Sequence, residues 1–582
     1  MKQLSLKALI FSVLFLFAHN LKSEGTPQLS PTASDYALIQ ISDFALSNNP
    51  FAFFGSYGTS RSICFTVKDV SETVYIGLGQ QVDGAANPVT DAYDWRIVGP
   101  SGPVHGPFTL TPANANGNDY NTLVAGPDVV NGAGYSTAGN YTFNPTEPGL
   151  YCIEFDGLLQ TQLTGAFLRH LDITIVDGGN IVQDGRLFSE NWSLRTPCST
   201  VNNCPPGDPF AEEFQGTIYA LTTDNYVHLV DFAGSGFRGL TFDLAFNNSG
   251  PGTSGDAILD RQSVNGVNAT NPLFRMFLNP PDQDCYTPPV VAEIAAPPII
   301  RNLPTECDSG DDFCIEVEVT NPGLVEVLLD FDQMDGIFTP NTADVLLAYR
   351  FEGDELSRCL EWDGLDGLGN TVNFNTQVDV ELTYYQGEIH FMQHDVEYNN
   401  PGWTVSIADP PAAVFSGLHY WDDTQIAASG DADANIDGDN NPATNPPGTG
   451  INPPFVELNG DPQPGHIWNR NLASTSEGYG ESNTINTWWF GNTDTESYFL
   501  NVPPEFVEID VAPDSVSGFF QDGLPIDALA NDTGDIDTST ICLIDADTVG
   551  LPGMVELDTT NGMMLFTPDL TFIGVDSFRY KV

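Results

Sequence analysis

The chain has 582 residues and carries 78 acidic against 18 basic side chains, a formal net charge of −60. A surface of that sign repels the phosphates of nucleic acid and of anionic lipid headgroups, so nucleic acid is excluded as a partner and small cations are the natural counterions. A length of this order suggests about four to five domains, each large enough to bury its own core.

The first residues, MKQLSLKALIFSVLFLFAHNLKSEG, place Lys2 and Lys7 ahead of an apolar run from Ala8 to Ala18 and then a polar stretch. This is the layout of a secretory signal peptide, expected over residues 1–24. The run is too short to span a bilayer, and no later segment reaches that length. The mature part is therefore expected to be secreted or held at the cell surface, without a transmembrane segment. Nine cysteines behind such a leader point to disulfides more than to zinc or catalysis. Cys64 in SICFTV and Cys152 in GLYCIEF are placed to bridge the sheets of one sandwich, Cys198 with Cys204 to pin one loop, and Cys307 with Cys314 another. Cys285 and Cys359 remain as a pair and Cys542 is left over, although spacing alone admits other connectivities.

Along the rest of the chain, apolar alternation of period two is broken by clusters of Gly, Pro, Asn and Asp, which predicts an all-β protein of tandem β-sandwich domains. A first domain is expected over 25–176, with strands at SICFTVKD, TVYIGLG, DWRIVGP, NYTFNP, GLYCIEF and HLDITIV, and a second over 177–290, with TIYALTTD, YVHLVDF and GLTFDLAF. The stretch CYTPPVVAEIAAPP reads as a proline-stiffened linker. A third domain, 291–377, holds CIEVEVT, LVEVLLDF and VLLAYRFEG before CLEWDGLDGLGNTV, in which Trp362 would anchor a hairpin whose glycines permit φ > 0. A fourth region, 378–505, is rich in tryptophan and contains a polar insertion from Ala428 to Pro454, and the last segment is 506–582.

Several of these stretches carry resemblances. The last segment, through Ala512-Pro513-Asp514, Leu529-Ala530-Asn531-Asp532, Phe566-Thr567-Pro568 and Gly574-Val575-Asp576-Ser577-Phe578-Arg579-Tyr580, resembles the cadherin-like/immunoglobulin-like tandem repeats of giant bacterial surface proteins. Such repeats come in series, and this one stops inside a strand, which implies the N-terminal part of a longer protein. The closing Pro-Gly-Leu-Tyr-Cys strand of the first domain resembles exported jelly-roll modules appended to bacterial enzymes and adhesins. The Trp362-Asp363-Gly364 hairpin is similar to the immunoglobulin-like module of flagellar-hook-capping proteins that recurs in exported proteins of gliding bacteria. His394-Asp395-Val396-Glu397, Tyr420-Trp421-Asp422-Asp423 and Ile485-Asn486-Thr487-Trp488-Trp489 together resemble segments of very large Bacteroidota surface proteins linked to adhesion and gliding motility.

For chemistry, Asp433, Asn435, Asp437 and Asp439 with Gly438 form the D-x-N-x-D-G start of a calcium loop, in which oxygens at alternate positions converge on one hard cation. Thr444 stands where a bidentate Glu closes such a loop, so calcium, if held, is held weakly. His390 and His394 lack the glutamate of H-E-x-x-H, and no Ser sits in a G-x-S-x-G elbow. These readings lead to an exported cell-surface adhesin or surface-filament component, acting by multivalent binding to an extracellular surface, a polysaccharide or other cell-surface proteins rather than as an enzyme. A carbohydrate-binding scaffold, with solvent-exposed tryptophans among Trp403, Trp421, Trp468, Trp488 and Trp489, and an exported hydrolase with accessory sandwiches are the alternatives.

Overall fold

In the computed structural model the described residues are, apart from short interruptions, 23–41, 63–156, 167–196, 213–302, 313–331, 342–423 and 483–503, together with the strand segments 456–457, 524–527, 542–543, 553–558, 563–568 and 580–581. The apolar runs read from the sequence are strands, because alternating Val, Ile, Phe and Tyr present one apolar face to a core and helix-length periods are lacking. The strands of the two large sheets pair antiparallel throughout.

Two large sheets organise residues 23–292 and 385–494. One has nine strands in the order Thr404–Asp409, Val227–Asp231, Thr217–Leu221, Arg275–Phe277, Leu187–Ser189, Ile63–Val67, Gly149–Asp156, Tyr93–Gly99 and Gly102–Leu110. The other has seven, in the order Thr484–Trp489, Ile389–His394, Phe242–Asn247, Asn191–Arg195, Leu38–Gln40, Phe167–Leu168 and Gln81–Val82. Both contribute to one apolar core, from Phe65, Trp95, Ile153 and Ile218 on the first sheet to Trp192, Leu244, Phe391 and Trp489 on the second. A smaller sheet of Leu171–Val176, Thr73–Leu78 and Thr142–Phe143 adds Val74, Ile76 and Ile173 to it.

The stretches expected as a first domain at 25–176, a second at 177–290 and a Trp-rich β-region at 378–505 are therefore interleaved. Leu187–Ser189 pairs with Ile63–Val67, Asn191–Arg195 with Leu38–Gln40, and Val227–Asp231 with Thr404–Asp409. The chain divides into two compact units, 1–292 with 385–494 and 293–384 with 495–582. Local alternation marks each strand but carries no information about its partner, which is why the sequence suggested consecutive domains.

Two further sheets are built from strands that lie mostly in the second unit. Ile294–Asn302, Phe313–Val319 and Ser357–Trp362 form one; Val345–Phe351, Gly323–Asp330, Gln377–Gln386 and Asn492–Asn501 form the other. Strict alternation in Gln377–Gln386 buries Val378, Val380, Leu382 and Tyr384. Part of the expected linker is strand: Pro297 and Pro298 lie inside Ile294–Asn302. They are tolerated because the strand is an edge and its register shifts between Ala296 and Ile299, so missing N–H donors interrupt no ladder. The Trp-Asp-Gly hairpin forms as read: the buried Trp362 donates from Nε1 to Leu365 O at 2.9 Å, and Gly364 and Gly369 take φ of 72° and 81°. Asp366 closes the turn, accepting from the backbone of Leu368 at 2.9 Å and Asn370 at 2.8 Å. In the last segment Leu524–Asp527, Met563–Pro568 and Gly553–Asp558 make a three-stranded sheet.

Candidate functional site

Alternation on the seven-stranded sheet sends Ile389, Phe391, Ile485, Trp489, Phe242, Leu244 and Phe246 into the core, leaving a second face. That face is polar and nevertheless buried: His390, His394, Thr484, Asn486, Asp243, Asn247, Asn191 and Ser193 are each at most 3% exposed. Register sets them in rows. His390 lies between Trp488 and Asn247, Met392 between Asn486 and Ala245, and His394 between Thr484 and Asp243.

The segment from Ser249 to Asn271 covers this face and hydrogen-bonds several of its buried polar groups. Asn247 accepts from the backbone of Gly250 at 2.7 Å and donates to Gly250 O and Asn271 O, at 2.7 and 3.0 Å. Thr484 donates to Val267 O at 2.7 Å and accepts from Ala269 N at 2.8 Å. Asn268 donates to Asp243 at 2.7 Å. At the far end Asn486 is the junction: its backbone N–H donates to Ser263 Oγ at 3.0 Å, and its side-chain amide donates to Arg261 O at 2.7 Å and to His390 Nδ1 at 2.9 Å. Ser263 Oγ in turn donates to Asp423 at 2.5 Å, while Gln262 donates to Asp422 at 3.1 Å.

An amide N–H can only donate, so Nδ1 of His390 accepts and its proton sits on Nε2, which donates to Glu388 at 3.0 Å. The ring stacks on Trp488, centroids 5.3 Å apart, and the Arg261 guanidinium stands 5.3 Å from the Trp488 ring centre. Both nitrogens of His390 are thus committed within the fold. His394 is held neutral: burial lowers its pKa to about 4 against the opposing bond from Nδ1 to Asn483 O at 3.1 Å. Burial likewise lowers His228 to about 3. The cluster combines Ser, His and Asp, and its hydrogen bonds lock a covering segment onto the sheet.

The disulfide expectations divide. Cys64 and Cys152 are joined, but within one sheet rather than between the sheets of a sandwich, because they stand directly opposite each other on neighbouring strands. Cys314 is joined to Cys359, Cα atoms 5.2 Å apart, which corrects the pairings of Cys307 with Cys314 and of Cys285 with Cys359. The reason is register: Cys314 faces Glu361, so Cys359 is its diagonal neighbour on the same face. Among the described residues Cys285 is a free thiol. Cys198, Cys204 and Cys307 lie outside the described residues.

Asp433, Asn435, Asp437 and Asp439 of the expected calcium loop also lie outside the described residues, as does Trp468. Among the described residues no group of three or more His, Cys, Asp and Glu side chains is placed to hold a metal ion. Trp403, Trp421, Trp488 and Trp489 are buried, at 4% exposure or less, so these four form no open stacking platform. The polar face itself was missed in the sequence, although alternation in HFMQH and TINTWW carries its signal once the two strands are known to pair. No family model, no curated protein and no solved structure matches the chain.

Proposed function

We propose that the chain is an exported cell-surface adhesin or surface-filament component that works by multivalent binding. The observation that carries this reading is that each of the two compact units is all-β and has its own disulfide between paired strands, Cys64–Cys152 in one and Cys314–Cys359 in the other. Disulfides persist in oxidising surroundings, and cross-strand bonds keep modules folded where no chaperone attends them. The signal-like leader and the net charge of −60 agree with a protein kept solvated outside the cell. Function is then mechanical: stiff modules hold binding faces outward and many weak contacts add through effective concentration.

Two experiments test this. Antibody labelling of intact producing cells should detect the protein, and deleting its gene should reduce attachment to polysaccharide-coated surfaces; unlabelled cells or unchanged attachment would count against it. We further propose calcium for the loop of Asp433, Asn435, Asp437 and Asp439, held at roughly 10⁻⁴ to 10⁻³ M because Glu is lacking at the closing position. Millimolar calcium should raise the melting temperature, and Asp433→Ala with Asp437→Ala should remove the rise. An equal rise in the double variant would leave the loop as a solvated acidic surface.

A further inference from the structure

We propose that export processing cuts the Ala18–His19 peptide bond, earlier than the leader's apparent end at Glu24, so that Ser23 and Glu24 remain as structural parts of the mature protein. This rests on the export reading above. The sequence offers a tempting later cut, since Ser23 and Gly25 put small residues at the two positions a leader peptidase reads before the Gly25–Thr26 bond. The fold forbids it. Ser23 is fully buried and Glu24 is 1% exposed. The Glu24 carboxylate accepts three backbone N–H groups in the interior, from Gly185 at 2.6 Å, Arg186 at 3.1 Å and Leu187 at 3.2 Å, and the Asn279 amide at 3.0 Å. Its own carbonyl accepts from Ile173 N at 2.9 Å. Loss of Glu24 would leave these buried donors without partners, each costing its full desolvation.

Gly25 is equally fixed: its φ is 145°, and any Cβ there would collide with the carbonyl of Leu171. Thr26 then accepts from Leu171 N at 2.8 Å, continuing the anchor. A cut after Ser23 fares no better. It would remove the Ser23 carbonyl that accepts from Gln28 Nε2 at 3.0 Å and place a new ammonium group on the buried Glu24. Among residues 17–22, Phe-Ala-His-Asn-Leu-Lys, only Ala18 is small, and it closes the apolar run. Hydrolysis there adds one water across the amide, leaving a carboxylate on Ala18 and an ammonium group on His19.

The test is to express the whole chain in an exporting bacterial host, recover it from outside the cytoplasm, and read its start by N-terminal sequencing and intact mass. The expected first residue is His19. A folded product beginning at Glu24, Gly25 or Thr26 overturns the inference. Retention of Met1 on protein kept inside the cell overturns the export reading, and the inference with it, so the two failures are distinguishable. As a second measurement, chains starting at His19 or Thr26 are placed behind a foreign cleavable leader. The His19 chain should melt several degrees higher, and equal melting temperatures would overturn the anchoring role of Ser23 and Glu24.

Discussion

Asp172 shows how burial and hydrogen bonding compete at a single side chain. It is fully buried and accepts from Tyr135 at 2.5 Å and Thr174 at 2.7 Å, yet burial pushes its carboxyl up to about 8 and that of Glu24 up to about 7. Both groups keep a proton in the folded state that the unfolded chain releases near pH 4, so their contribution to stability is complete below that pH and is lost as pH rises through 7 and 8. His394 and His228, with folded values of about 4 and 3, act in the opposite sense, because the unfolded chain takes up protons below about pH 6.5 that the folded one refuses. The slopes oppose below pH 6.5 and only the acids act above it. The melting temperature should fall from pH 6.5 to 8.5, and Asp172→Asn should flatten that fall in a thermal denaturation series. An unchanged slope in the variant would mean that Asp172 is already ionised in the folded protein.

At the scale of strands, what was legible was what is local. Cys64 and Cys152 sit in two of the clearest apolar runs, so their pairing was readable, whereas their place opposite each other in one sheet, rather than across two, was not. Cys314 has Cys307 close by in sequence, which suggests a loop clasp, whereas its true partner Cys359 follows from a register that only the folded sheet fixes. The polar face around His390 and Asn486 was hidden for the same reason: its rows are made by pairing 389–394 with 484–489 across a long intervening segment. The Trp362 hairpin needed no distant partner and was readable from its glycines and aspartates. Reduction of the disulfides should destabilise the protein strongly. The Cys64–Cys152 bond spans 88 residues, and its loss through paired serine substitution should cost about 2–5 kcal/mol in denaturant titration. A loss below about 1 kcal/mol would show that the unfolded chain is not constrained by it.

Interleaving also makes a prediction at this scale. Ile485 and Trp489 lie in the core on a strand paired with Ile389–His394. A protease site engineered into 428–454 should therefore yield two pieces that co-elute under native conditions and separate only in denaturant. Separation without denaturant would restore the picture of independent consecutive domains.

For the whole molecule, composition spoke before any fold did. An excess of acid, a leader-like start and nine cysteines led to the expectation of an exported chain that avoids nucleic acid, and the two cross-strand disulfides are compatible with export. Domain boundaries were less readable, because the unit holding 293–384 interrupts the chain between strands of one sheet system. Multivalent binding through many weak contacts, as proposed for this protein, has avidity as its signature. Purified chain should be compared as a monomer and as a biotin-linked tetramer on streptavidin for retention on polysaccharide-coated and bare silica beads. Multivalent action would give weak, quickly reversed binding of the monomer and an apparent affinity roughly 10²–10⁴-fold higher for the tetramer. Equal affinity in both forms, or no retention of either, would contradict it.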